Sequence, residues 1–168
     1  MAIQAHCAPR RKGQSLTKTR HKIAESVLVV IHAGPQHVLL LRRADWGNWQ
    51  SVTGSKDSLA EPWASTAARE VFEETGLDVH APGARLQDAA WHHHYAIYPS
   101  FIHRYAPGVS HNTERVFYLR LSAPQPVRLS PREHTDSCWL PWPEAAAQVF
   151  SASNAWAIER CFSEAQDA

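Results

Sequence analysis

A single-domain α/β fold, with a mixed β-sheet sandwiched between helices, is predicted from three observations. The chain has 168 residues and is 44% hydrophobic, enough to bury a sizeable core within one compact domain. Short apolar runs bounded by Gly and Pro read as strands, and two longer stretches carry helical periodicity between and after them. No internal repeat, low-complexity tract or linker divides the chain.

Before Glu25 the chain carries Arg10, Arg11, Lys12, Lys18, Arg20 and Lys22 with no acid, interrupted by Pro9 and Gly13. A flexible basic tail over residues 1–21 is therefore expected, followed by the folded domain over 22–168, with Lys22 the cation best placed to reach a site. VLVVI at 27–31 and HVLLL at 37–41 predict a hairpin turning at Gly34 and Pro35. WQSVT at 49–53 predicts a further strand ahead of Gly54, with Trp49 near the site. Pro62 to Thr75 predicts a helix, because Pro suits a first-turn position and Gly76 suits the left-handed residue that ends a helix. Runs over Trp91–His103 and Arg115–Leu121 predict a second hairpin turning at Pro107 and Gly108. Pro143 to Phe162 is again helical in pattern, with a break near Ser151 to Asn154.

A formal net charge of +1 provides no general attraction to nucleic acid or to a membrane, so a charged ligand must be recognised locally. Cys7, Cys138 and Cys161 are odd in number and widely spaced, as expected for reduced thiols in a cytoplasmic protein. No run approaches the roughly 20 apolar residues that span a bilayer, and the N-terminus lacks the apolar core of a secretory signal. His92, His93 and His94 do not read as a metal cluster, since strand alternation sends the central one to the opposite face.

The first helix concentrates charge in REVFEETG at 69–76. At 100° per residue Ala64, Ala67, Ala68, Val71 and Thr75 share one face, and Glu70, Glu73 and Glu74 crowd another arc. Like charges at this spacing repel by a few tenths of a kcal/mol per pair, so the cluster needs water or a cation. Carboxylates are hard ligands suited to Mg²⁺ or Mn²⁺, and Mg²⁺ completes its shell with water and substrate phosphates.

This segment resembles the Nudix hydrolase family, whose motif is G, five residues, E, seven residues, then REUXEEXGU, with U aliphatic. Here the corresponding residues are Gly54, Glu61, Arg69, Glu70, Val71, Glu73, Glu74, Gly76 and Leu77, with six residues instead of five between Gly54 and Glu61. The resemblance implies a Nudix-type mixed sheet between helices, with the motif as a loop-helix-loop. It also implies metal binding by Glu70, Glu73, Glu74, Glu133 and the Gly54 carbonyl, with Mg²⁺ the expected ion and Mn²⁺ an alternative. Glu61 and Arg69 are expected to pair and hold the loop.

WQSVTGS at 49–55, HRYAPGV at 103–109 and NTE at 112–114 narrow the likeness to those bacterial members that hydrolyse dihydroneopterin triphosphate in folate biosynthesis. It covers about Lys22 to Phe162. It implies Mg²⁺-dependent cleavage between the α and β phosphates, with Glu133, Glu70 and Glu73 as candidates for activating water. The implied partner is a small-molecule triphosphate. Lys22, Arg42 and Arg43 are expected phosphate contacts, and Thr53 is expected to offer its backbone at the site mouth. Tyr95, Ile97 and Tyr98 are expected to border the pterin pocket, with Ser151 and Asn154 polar residues near it. Two other readings stand beside this one: a broader nucleoside triphosphate pyrophosphohydrolase acting on dATP or oxidised nucleotides, and a nucleotide-binding Nudix module without catalysis.

Overall fold

The computed structural model describes residues 21–163, so the expected basic tail, apart from His21, lies outside the described residues. In chain order the strands are β1 (Glu25–Ala33), β2 (His37–Arg43), β3 (Trp49–Gln50), β4 (Val52–Ser55), β5 (Arg85–Ala96), β6 (His111–Leu121) and β7 (His134–Pro141). The helices are α1 (Trp63–Thr75), α2 (Trp142–Gln148) and α3 (Ala152–Ser163).

All seven strands form one mixed sheet. β1 runs parallel to β6 from Glu25–Thr113 to Ala33–Leu121, and β5 extends that side antiparallel to β6. The other edge of β1 is shared: Ser26–Val29 pair with β4, whereas His32 and Ala33 pair with β2. β2 then diverges to pair with β7 along its length and with β3 at Leu41 and Arg42. The opening between β1 and β2 thereby receives β4, which carries Gly54.

Both sheet faces are covered, which explains why VLVVI is continuously apolar instead of alternating. Val27, Val29, Ile31, Phe117 and Leu119 pack with Ala67 and Val71 of α1. Leu28, Val30, Leu40 and Val116 pack on the other face with Ile158 and Phe162 of α3. The expected first hairpin and both helical regions are present, and Gly76 closes α1 at φ 71° with its N–H on Phe72 O at 2.8 Å.

Several expectations are corrected. β5 begins at Arg85, not Trp91, because a bulge between Asp88 and His92 interrupts its alternation. Ala90 takes φ 60° there and donates to Asp88 Oδ1 at 2.9 Å, giving a turn-like look to what is strand. Pro99–Arg104 forms a 3-10 turn in place of the expected strand end. Residues 107–108 do turn the chain, with Gly108 at φ 87°. β7 was not expected, since its first half is polar, with Thr135 and Asp136 exposed. Ala64 is exposed, whereas Glu70 and Glu74, expected to project outward, are 8% and 3% exposed. They lie on the flank of α1 that faces β4, beside the Ala67–Val71 stripe. Trp49, expected near the site, packs against the α3-side core. Among the described residues, no helix is long and apolar enough to cross a membrane.

Candidate active site

The site is built where β4 meets α1. A Cβ added to Gly54 would stand 1.8 Å from Glu70 Cδ, so the carboxylate occupies the space a side chain at 54 would fill. Arg69 locks this arrangement from the loop side. Its Nε donates to Glu61 Oε1 at 2.9 Å, its Nη1 to Glu70 Oε1 at 2.8 Å and its Nη2 to Ser55 O at 2.9 Å. Glu61 Oε2 also accepts from the Asp57 amide at 2.7 Å, so the longer loop folds around the Glu61 carboxylate and leaves Gly54 against the helix.

The Arg69 guanidinium draws the Glu61 carboxyl down from 4.5 to about 2, and Arg69 itself is shifted upward by Glu61. A depressed carboxyl stabilises the fold above its unfolded value and loses that contribution as pH falls through the folded one. Glu61→Gln is therefore expected to cost roughly 2 kcal/mol at pH 7, the scale of charge-assisted hydrogen bonds. The deficit relative to wild type should shrink as pH falls from 4.5 towards 2. Urea unfolding of both proteins across that range checks it, and a pH-independent deficit would contradict the assignment.

The second half of the site arrives from far along the chain. At the start of β7, His134 Nε2 is hydrogen-bonded to Glu74 Oε2 at 2.9 Å, both side chains being buried. Glu133, exposed, stands beside them, and Glu74, Glu133 and His134 each offer a ligand atom within 4.8 Å of the others. Glu70 and Glu73 line the same cavity of about 850 Å³, with Glu73 lying 3.4 Å from Arg69 Nη1.

Burial raises Glu70 to about 7, against the lowering effect of Arg69 and with Glu74 and Glu73 adding to the rise. Burial likewise raises Glu74, offset in part by His134 and a Thr53 backbone hydrogen bond. Burial thus raises both carboxyls, and His134 Nδ1 is buried without a hydrogen-bond partner. A set dominated by carboxylate oxygens, open on one side to a cavity, fits a hard divalent cation.

The same cavity also carries cations. Lys22, Arg43 and Arg104 line it, and Lys22 is lowered by desolvation and then by Arg104. Arg43 is steered by Asp45, to which its Nε donates at 2.8 Å. A second cavity of about 440 Å³ continues from the first, sharing Lys22, Arg43, Thr53, Gly54 and Arg104. Tyr95, Ile97, Tyr98, Ser151 and Asn154 line it, as does Phe101 from the 3-10 turn.

Not every expected contact reaches these cavities. Arg42 lines neither, and its Nε donates to Gly47 O at 3.1 Å, because alternation along β2 sends it away from Arg43. Asn154 lines the second cavity, but its side chain is engaged by Ser51: Oδ1 accepts from Ser51 N and Nδ2 donates to Ser51 Oγ, each at 2.8 Å. Asn154 thus ties α3 to the sheet. Ser151 Oγ accepts from Asn154 N at 3.2 Å and so caps α3. Sequence reasoning missed His134, Arg104, Asn112 and Glu114. Arg104 sits inside HRYAPGV, Asn112 and Glu114 are the ends of NTE at 112–114, and His134 adjoins the candidate Glu133, so all four lay in or beside segments the sequence already marks.

The NUDIX domain family model matches residues 22–161. The chain is 42% identical over 142 residues to the dihydroneopterin triphosphate diphosphatase of Escherichia coli K12, covering 83% of this chain and 93% of that protein. It is 36% identical over 143 residues to the Haemophilus influenzae protein of the same name, covering 84% and 89% respectively. The structure of the E. coli dihydroneopterin triphosphate pyrophosphohydrolase superposes with a TM-score of 0.76, covering 83% of this chain and 95% of that one. A Caenorhabditis elegans Ap4A hydrolase complex, 19% identical, shares the fold with a TM-score of 0.68 over 87% of this chain and all of its own.

Proposed function

Since the chain belongs to the NUDIX domain family, we propose that it hydrolyses dihydroneopterin triphosphate to dihydroneopterin monophosphate and pyrophosphate. The observation that carries this reading is the continuity of the two cavities. An acid-and-cation chamber suits a metal-bound triphosphate, and the adjoining chamber, walled by Tyr95, Ile97 and Phe101, suits a planar bicyclic ring. Relatives at 42% and 36% identity bearing the name of this activity support the assignment.

Lys22, Arg43 and Arg104 pair with the phosphate oxygens and set the triphosphate across the cavity mouth. Glu70, Glu74 and Glu133 would hold Mg²⁺, with Gly54 giving its backbone and Glu73 at the rim, and such an ion would supply positive charge to offset the phosphates and the oxygens that become negative during attack. Glu70 is engaged by Arg69 and Gly54, and Glu73 lies beside Arg69. Glu133, entering from the β7 side and exposed, has the greatest freedom to accept the proton of the attacking water. The water oxygen bonds to phosphorus, the α–β bridging bond breaks, and pyrophosphate leaves.

Pyrophosphate release with Mg²⁺, measured across dihydroneopterin triphosphate, dATP, the other nucleoside triphosphates and oxidised nucleotides, tests this. The pterin substrate is expected to exceed every nucleotide in kcat/KM by about tenfold or more, a difference of ~1.4 kcal/mol in transition-state binding. Comparable rates on all triphosphates would point to a broad nucleotide hydrolase, and binding without turnover to a non-catalytic module.

A further inference from the structure

The second cavity has a floor that phosphate chemistry does not use. Strand register places Glu114 of β6 between Ser26 of β1 and His93 of β5, while Asn112, two residues earlier on the same face, lies opposite Tyr95. These five side chains line the cavity together. The same face of β6 continues into the core through Val116 and Tyr118, where a polar residue has no natural place. Glu114 is 6% exposed and Asn112 is 2% exposed. Glu114 is also the one acid among the described residues lining this cavity.

The hydrogen bonds there are directional and incomplete. Asn112 Nδ2 donates to Ser26 Oγ at 2.7 Å and to Tyr95 Oη at 3.0 Å. Tyr95 Oη therefore accepts from Asn112 and has its own hydrogen to give to Glu114. Asn112 Oδ1, turned the other way by these two bonds, is buried with no partner. A buried acceptor left open beside a buried carboxylate facing a cavity is costly unless a ligand brings donors to it.

We propose that Glu114, with Asn112 beside it, recognises the amino-pyrimidinone edge of the pterin and is a specificity-determining residue of the reaction. This rests on the pterin reading above. The edge in question carries an exocyclic 2-amino group next to a ring N3–H, two donors side by side in a plane. A carboxylate accepts such a pair through both oxygens, as it does a guanidinium. The second hydrogen of the amine has Asn112 Oδ1 as an acceptor. An adenine edge offers no such donor pair and sets a ring-nitrogen lone pair in that row, so the carboxylate discriminates by repulsion as well as by attraction. Burial, offset only by the Tyr95 hydroxyl, pushes the Glu114 carboxyl up to about 7, as expected for an acid whose further partners come from a ligand.

Two measurements test this, and the second needs no variant. Glu114→Gln keeps the volume but places a donor where an acceptor is required. It is expected to raise KM for dihydroneopterin triphosphate by about 10- to 100-fold while lowering kcat much less, with the melting temperature checking the fold. With wild-type protein, neopterin is expected to bind at least about tenfold more tightly, by calorimetry, than its counterpart with the 2-amino group replaced by hydrogen. Unchanged KM in a folded Glu114→Gln protein, or equal binding of the two pterins, would overturn the assignment. If the variant does not fold, the wild-type comparison decides. Failure of wild-type protein to turn over dihydroneopterin triphosphate would instead count against the proposed activity, and binding of the two pterins would still report on Glu114.

Discussion

Glu74→Gln is expected to lower kcat/KM for dihydroneopterin triphosphate by roughly 10²- to 10³-fold, the scale of removing one preorganised electrostatic group from a transition state. The metal-free protein should melt at the same or a higher temperature. Both outcomes follow from where the side chain lies. Glu74 is 3% exposed, it shares ligand geometry with Glu133 and His134, and burial shifts its carboxyl upward. An acid whose folded pKa lies above its unfolded value favours the fold while protonated, and its ionisation costs stability as pH rises past the ordinary 4.5. Glutamine is neutral throughout and isosteric, and its amide oxygen can still accept from His134 Nε2. Removing the charge therefore relieves the metal-free protein while removing a ligand that the cation and the triphosphate need. Pyrophosphate release with Mg²⁺, paired with calorimetry without it at pH 8, reads the two effects separately. Wild-type turnover would remove Glu74 from the metal set, and a large loss of stability would make it a structural acid instead.

That separation of stability from function also explains what could be read from residue order. REVFEETG was legible because its information is local: the spacing within one helix, and Gly76 at its end, do not depend on what lies elsewhere. The twice-covered strand VLVVI was legible because its apolar run is unbroken. Burial of Glu70 and Glu74 was not, because periodicity identifies an arc but cannot say that β4 will stand against it. His134 meets Glu74 across 60 positions and Asn154 meets Ser51 across 103, contacts that only the crossover of β7 and the return of α3 create. The choice between Arg42 and Arg43 could have been sharpened by alternation, had the facing of β2 been known. Glu114 lay within NTE at 112–114, but that motif carries no role for it in sequence, and only the shared row with Ser26 and His93 turns it into a cavity floor.

Gly54→Ala carries the second large expected effect, and its character is unusual for a glycine. The backbone at 54 is not in the left-handed region, so alanine meets no conformational penalty there. The closest collisions are all with Glu70, whose Cδ, Oε1 and Oε2 would lie 1.8, 2.1 and 2.2 Å from the new Cβ. These atoms are the far end of a flexible side chain, so the fold can yield by moving the carboxylate while the strand stays in place. Stability should fall by no more than about 1–2 kcal/mol, the lower range for overpacking. The carboxylate has little room to move usefully, however, because Arg69 Nη1 holds Oε1 at 2.8 Å and Glu74 lies one turn further along α1. Displacement of about 1 Å at a metal-ligating or reacting group is enough to cost roughly 10²-fold in rate, and that loss in kcat is expected here, with a smaller change in KM because Lys22, Arg43 and Arg104 are untouched. Steady-state kinetics beside thermal unfolding test the claim. Full activity would mean that the position of Glu70 against β4 is incidental. A variant inactive only because it is unfolded at assay temperature would mean that Gly54 serves packing rather than the placement of a ligand.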